Sequence, residues 1–149
     1  MKRTPPVEPP LGVSHHFRHP PERVFELWMD PESVKVWMCP APEIRISDLQ
    51  WPAEVGAAYR IVMDLGDHEV AFSGKYVEIT PPRRFSFTWS STRTDEVETL
   101  VTVELQEVDD GTSLQLTHER LPTPEAVEAH LGGWVNILAR LEHVLDEAG

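Results

Sequence analysis

Between Pro124 and Ala148 the apolar residues Val127, Leu131, Trp134, Leu138, Leu141 and Leu145 recur at spacings of four, three, four, three and four. That is the helical period, and one long helix over this stretch satisfies it. On a 3.6-residue wheel Ile137 and Val144 widen the stripe on one side and Val135 on the other, so roughly half the circumference is apolar. Glu125, Glu128, Asn136, Arg140, His143, Asp146 and Glu147 take the other half. A helix this broadly apolar calls for a concave surface to receive it. The rest of the chain has to supply that surface.

Met1 to Pro10 holds four prolines and reads as an extended tail, leaving residues 11–149 as one domain. Leu11 to Phe17 alternates as a strand, with Leu11, Val13, His15 and Phe17 on one side. Pro20 and Pro21 end it and suit the first turn of a helix, whose apolar side is Val24, Phe25, Leu27 and Trp28. Asp30-Pro31-Glu32 starts a second short helix, with Asp30 as N-cap and Val34, Trp37 and Met38 apolar, before Pro40 and Pro42 stop it.

From Glu43 the period changes to two. Ile44 and Ile46 alternate in one strand, and Tyr59, Ile61 and Met63 in the next. Leu65-Gly66-Asp67 reads as a hairpin turn. Val70, Phe72 and Tyr76 share a face, with Gly74 marking a bulge or a close backbone approach. After Pro81-Pro82, Phe85, Phe87 and Trp89 face inward. A further strand over Val97–Gln106 turns Val97, Thr99, Val101, Val103 and Leu105 inward. Asp109-Asp110-Gly111 is a turn, followed by Leu114, Leu116 and His118 on one side. Thr123 is the N-cap of the final helix. Short connections imply antiparallel pairing, and a sheet of about seven strands curls. The expectation is an α+β fold in which a curved antiparallel sheet grips the C-terminal helix.

A net charge of −12 repels phosphate backbones and anionic lipid, which argues against nucleic-acid and membrane-surface partners. Cys39 is the single cysteine, so no internal disulfide forms and a reducing compartment is expected. With no apolar run of transmembrane length and no signal-peptide core, the expected location is the cytoplasm.

The pattern Gly74-x-Tyr76-x-Glu78-Ile79-x-Pro81-Pro82, then Phe87-Thr88-Trp89, Thr102-Val103-Glu104-Leu105, Gly111-Thr112-x-Leu114-x-Leu116-Thr117-His118 and His130-x-x-Gly133-Trp134 resembles the SRPBCC superfamily, also called START-like or birch-pollen-allergen-like. Within it the chain is most similar to the branch named for the activator of 90 kDa heat shock protein ATPase homologues, over Leu11 to Leu145. The resemblance implies a helix-grip fold around a deep, largely apolar cavity. One departure is Gly56-Ala57, where the family often has two glycines.

Several side chains invite chemistry. His15, His16 and His19 form an HHxxH cluster, but a strand sends His15 and His16 to opposite faces, so no metal site is expected. Cys39 has no visible base beside it and reads as a packed thiol. His118 and His130 both fall on inward positions, where a buried histidine needs a partner or a cavity. They are the candidates for an acid or base, with no complete catalytic constellation around them. The candidate ligand-contacting residues are Tyr59, Ile61, Phe72 and Tyr76, then Phe87, Trp89 and Val101, then Leu116, His118, His130, Trp134 and Ile137. Gly132-Gly133 each costs about 1 kcal/mol relative to alanine inside a helix, so a nearby strand, an entrance loop or a kink is expected there.

The function these residues suggest is binding of a small hydrophobic or aromatic molecule, with no cofactor. The alternatives are a cyclase- or hydrolase-type enzyme, or an antibiotic self-resistance protein, acting on a polyketide-like ligand. Chaperone ATPase activation ranks last, because in larger homologues it involves an additional N-terminal domain and only a ten-residue tail precedes Leu11. Exposed strand edges and an unassigned Trp51 leave a homodimer open.

Overall fold

The structure, a computed structural model, describes residues 10–148; the expected tail, apart from Pro10, lies outside them. Seven strands form one antiparallel sheet: β1 (Leu11–Phe17), β2 (Arg45–Gln50), β3 (Ala58–Asp64), β4 (Glu69–Thr80), β5 (Arg84–Trp89), β6 (Thr99–Val108) and β7 (Gly111–Glu119). Their order across the sheet is β1-β7-β6-β5-β4-β3-β2. Strands β2 to β7 are a meander, while β1 pairs with β7 at the far edge. Helices α1 (Pro21–Met29) and α2 (Pro31–Trp37) carry the chain from one edge to the other. The long helix α3 (Pro124–Ala148) lies against the sheet, so the fold is a helix grip.

The local signals account for these boundaries. Asp30 accepts from the backbone N–H of Glu32 at 3.1 Å and from the Ser33 hydroxyl, and Pro31 holds the first helical position. Thr123 Oγ1 accepts from Ala126 N at 3.0 Å, capping α3 as expected. Gly66 takes φ +99° at the β3–β4 turn. Gly56 takes φ +85°, whereas Ala57 does not enter the left-handed region. A single glycine therefore suffices at the turn where the family often has two.

Cross-strand register stacks the inward residues into rows. One row runs Leu11, His118, Val101, Phe87, Tyr76, and the next runs Val13, Leu116, Val103, Phe85. Beyond them Trp89 stands opposite Thr99. Helices α1 and α2 close one end of this surface through Trp28, which lies 5.0 Å from Phe85 and 4.7 Å from Trp37 between ring centroids. Gly74 is the expected close approach: a Cβ there would sit 2.1 Å from the Thr88 carbonyl oxygen.

Four expectations need correction. The buried seam of α3 runs through Ala126, His130, Trp134, Ile137, Leu138, Leu141 and Leu145. At 100° per residue these span an arc of about 120°, so Leu131 and Val135 fall past its edge and are 41% and 47% exposed. The receiving surface wraps about a third of the helix because α3 is clasped by sheet and α2 on one side alone. Trp51 is buried, its indole N–H donating to the Trp28 carbonyl at 2.9 Å, so it is no free surface for a partner. Strand β6 starts at Thr99, because Asp95 and Glu96 both take positive φ and turn the chain just before Val97. Helix α3 runs unbroken through Gly132-Gly133, and nothing lies within 4 Å of a Cβ built on Gly132.

Candidate functional site

The concavity is filled beneath the second half of α3. Leu138, Leu141 and Leu145 are fully buried there, in a core that also holds Phe17, Val103 and Leu116. Beneath the first half it is not filled. A pocket of about 410 Å³ opens between residues 128–137 of α3 and the β3–β4 hairpin. That volume falls within the range of about 300–1,000 Å³ usual for small-molecule sites.

The sheet contributes Met63, Val70, Phe72 and Trp89 to its wall. Phe72 and Trp89 lie 4.7 Å apart between centroids and tilted by 32°, and Trp89 lies 5.1 Å from Trp134 on the helix. Ile137 continues the apolar wall on α3, and Pro40 and Ile44 close it from the segment after α2. Three polar side chains complete the rim: Arg93, Glu128 and Asn136, all exposed. The glycine pair belongs to this rim as well. A Cβ on Gly133 would stand 3.9 Å from Pro40, an ordinary contact, and one on Gly132 would meet nothing. Close packing explains neither residue. Their effect is to leave the helix surface bare where the pocket opens.

His118 and His130 stand behind and beside this wall, with ring centroids 5.0 Å apart. Trp134 Nε1–H donates to His118 Nδ1 at 3.0 Å, so the His118 proton sits on Nε2. That proton is donated to Thr99 Oγ1 at 2.7 Å, and Thr99 donates in turn to the Trp89 carbonyl at 2.5 Å. Trp89 Nε1–H donates to His130 Nε2 at 3.3 Å, and His130 Nδ1–H donates to the Ala126 carbonyl at 2.7 Å. Each ring is thus neutral, in opposite tautomers, with both nitrogens occupied. Burial pushes the pKa of His118 well below the usual histidine value, and the neighbouring His130 adds to the shift. Burial also lowers His130, aided by the Arg93 charge and opposed by the bond to Ala126. The two histidines are braces that fix the indoles of Trp89 and Trp134.

Of the twelve residues singled out from the sequence, Phe72, Trp89, His130, Trp134 and Ile137 line the pocket. Tyr59, Ile61, Tyr76 and Phe87 pack with Trp51 or one another in the filled part of the core, as do Val101 and Leu116. The Tyr59 hydroxyl is bonded to the Thr88 carbonyl, and His118 stands behind the wall, against Trp134 and His130. Met63, Val70, Pro40, Ile44, Arg93, Glu128 and Asn136 line it without having been singled out. Met63 and Val70 carry the same period-two signal as Tyr59 and Phe72, displaced toward the hairpin tip. Arg93 lies in a polar turn with no periodicity to mark it.

The HHxxH cluster is dispersed over three carboxylates. His15 donates to Glu142 at 2.6 Å, His16 to Asp110 at 2.9 Å and His19 to Asp146 at 2.8 Å. The pairs of His15 and His19 strap β1 and the turn after it to the end of α3. Cys39 is buried beside a second hollow of about 430 Å³, shared with Arg140 and His143. Burial pushes its thiol above the usual cysteine range, opposed by the Arg140 charge and the Ile46 backbone. A raised thiol pKa disfavours the nucleophilic thiolate.

A curved antiparallel sheet gripping a long C-terminal helix, with a pocket between them, defines a helix-grip domain of the SRPBCC superfamily. Residues 18–146 match the family described as Activator of Hsp90 ATPase homolog 1-like protein, and the chain belongs to that family. Among solved structures it is similar to a protein from Chromobacterium violaceum at 24% identity, covering 93% of this chain and 98% of that one with a TM-score of 0.82. An AHSA1 protein from Silicibacter pomeroyi matches at 22% identity over 95% and 100% of the two chains, TM-score 0.82. An AHSA1-like protein from Aeromonas hydrophila matches at 21% over 95% and 94%, TM-score 0.79. At these identities the likeness speaks for the fold. No curated protein matches the chain.

Proposed function

We propose that this protein binds a small hydrophobic or aromatic molecule in the pocket beneath the first half of α3. The observation that carries the reading is the pocket itself, about 410 Å³ walled by Met63, Val70, Phe72, Trp89, Trp134 and Ile137, with the helix bare at Gly132-Gly133 beside its opening. Apolar walls give affinity through burial, and the few polar groups at the rim give orientation. Binding without chemistry is the better supported form. An acid or base needs a nitrogen free to exchange a proton with a substrate, and all four ring nitrogens of His118 and His130 are engaged.

The test is a titration of the purified protein with fatty acids, flavonoids and aromatic polyketides, followed by tryptophan fluorescence. Trp89 and Trp134 border the pocket, so a bound aromatic ligand should quench them saturably. A panel with no saturable response at micromolar protein would overturn the reading. The family's description names activation of the Hsp90 ATPase, and the rate of that ATPase with and without this protein tests whether such a role extends to this chain.

A further inference from the structure

The pocket's rim holds two formal charges, Arg93 and Glu128, and the two are built differently. Glu128 projects from the exposed side of an ordinary helical turn. Arg93 sits in a short 3-10 turn, Thr92–Thr94, that is tightly fixed. Ser91 Oγ accepts from Arg93 N at 2.9 Å, and Thr94 Oγ1 accepts from Ser91 N at 3.2 Å, a reciprocal capping box. Thr94 is fully buried and also bonds the Val97 carbonyl at 2.8 Å. Asp95 and Glu96 follow at φ +53° and +63°, a left-handed conformation that non-glycine residues rarely adopt. The whole device holds one backbone position at the edge of the pocket. The arginine–carboxylate pairs among the described residues are those of Arg23, Arg60 and Arg84, so Arg93 lines the pocket with its donors unclaimed by a protein carboxylate. Its charge reaches inward, since it helps to keep the neighbouring His130 neutral.

We infer that the ligand of this pocket is an amphipathic anion, an apolar body bearing a carboxylate or similar acidic head, with the head held by Arg93 at the rim and the body against Phe72, Trp89 and Trp134. The inference rests on the pocket being a ligand site, as proposed above. A planar fork of donors on a fixed turn suits a carboxylate bound through two parallel hydrogen bonds. The protein's overall charge of −12 works against any anion, and so does Glu128. A preference for an acid therefore has to originate locally.

The experiment is calorimetric titration of the full chain at pH 7.5 with two matched pairs: 2-naphthoic acid against 2-naphthalenemethanol, and decanoic acid against 1-decanol. One pair has a flat aromatic body and the other an alkyl body, which separates those two sources of the same head group. In at least one pair the acid should bind about five- to tenfold more tightly than the alcohol. Arg93→Gln should abolish that gap, and the turn that carries it should stay formed, because the Arg93 side chain takes no part in the capping bonds. Glu128→Gln should widen the gap. Acid and alcohol binding equally in both pairs would overturn the anionic head group and leave the pocket reading standing. A gap that survives in Arg93→Gln would overturn Arg93 as the group that holds the head. Absence of binding by all four compounds would overturn both.

Discussion

Gly132 is the residue at which stability and binding part company. An interior helical glycine costs about 1 kcal/mol relative to alanine, and no neighbour requires one here. Gly132→Leu should therefore raise the unfolding free energy by about 0.5–1 kcal/mol in urea titrations, while its side chain crowds the pocket opening and weakens ligand binding. Gly74 is the opposite case. A Cβ there would stand 2.1 Å from the Thr88 carbonyl oxygen, a backbone group that cannot swing away. Gly74→Ala should cost about 2 kcal/mol or more, read as a lowered urea midpoint. His118 and His130 set the acid limit of the fold. Both have folded-state pKa values depressed below their unfolded value of about 6.5. Below that pH the unfolded chain takes up protons that the native rings refuse, so stability is present above it and falls as pH falls. The groups facing these rings are each other and the Arg93 cation, and both oppose protonation. Urea unfolding at pH 7.5, 6.5 and 5.5 should show stability falling below pH 6.5, and His118→Gln should remove part of that fall.

At the scale of the element, α3 divides into two halves with different duties. The half from Leu138 onward fills the concavity and carries the packing energy. Leu138→Ala should destabilise by about 2–5 kcal/mol, since the space it leaves is enclosed. Leu131→Ala should change stability by no more than about 0.5 kcal/mol, because that side chain lies past the edge of the buried arc. The spacing of apolar residues alone places Leu131 and Leu138 in one stripe, so the pair separates the sequence period from the real contact surface. The first half of the helix covers an incompletely filled space, and its inward residues are Ala126, His130 and Trp134 in place of the leucines further on. This grading along one helix is what leaves a pocket at one end of an otherwise packed grip. Strand β5 has a matching role: Phe85 and Phe87 belong to the filled core, and Trp89, last in the strand, reaches the pocket.

For the whole molecule, element order, antiparallel pairing and the curled sheet were legible because each follows from local periodicity and short connections. The turns were legible for the same reason: Asp30, Thr123 and Gly66 act where their chemistry says they should. The site was less so. Alternation tells that Tyr76, Phe87 and Leu116 point inward, but not whether the space ahead of them is already occupied. That depends on how far the helix slides along the sheet, which no local pattern records. Arg93 was invisible because its position comes from a capped turn and its neighbours' left-handed backbone. The clearest pointer to the pocket in the sequence was the glycine pair, read as costly and as set beside a strand, an entrance loop or a kink; both glycines line the pocket, Gly133 beside Pro40 of the segment after α2.

The most direct test is the map of amide and indole shifts in a two-dimensional ¹H–¹⁵N spectrum as 2-naphthoic acid is added. Saturable changes confined to Met63, Val70 and Phe72, the Trp89 and Trp134 indoles, Arg93, and His130 to Gly133 are expected, shifted to higher ligand concentration in Gly132→Leu. Changes centred on the hollow at Cys39, Arg140 and His143, or changes that persist unaltered in Gly132→Leu, would contradict the pocket reading.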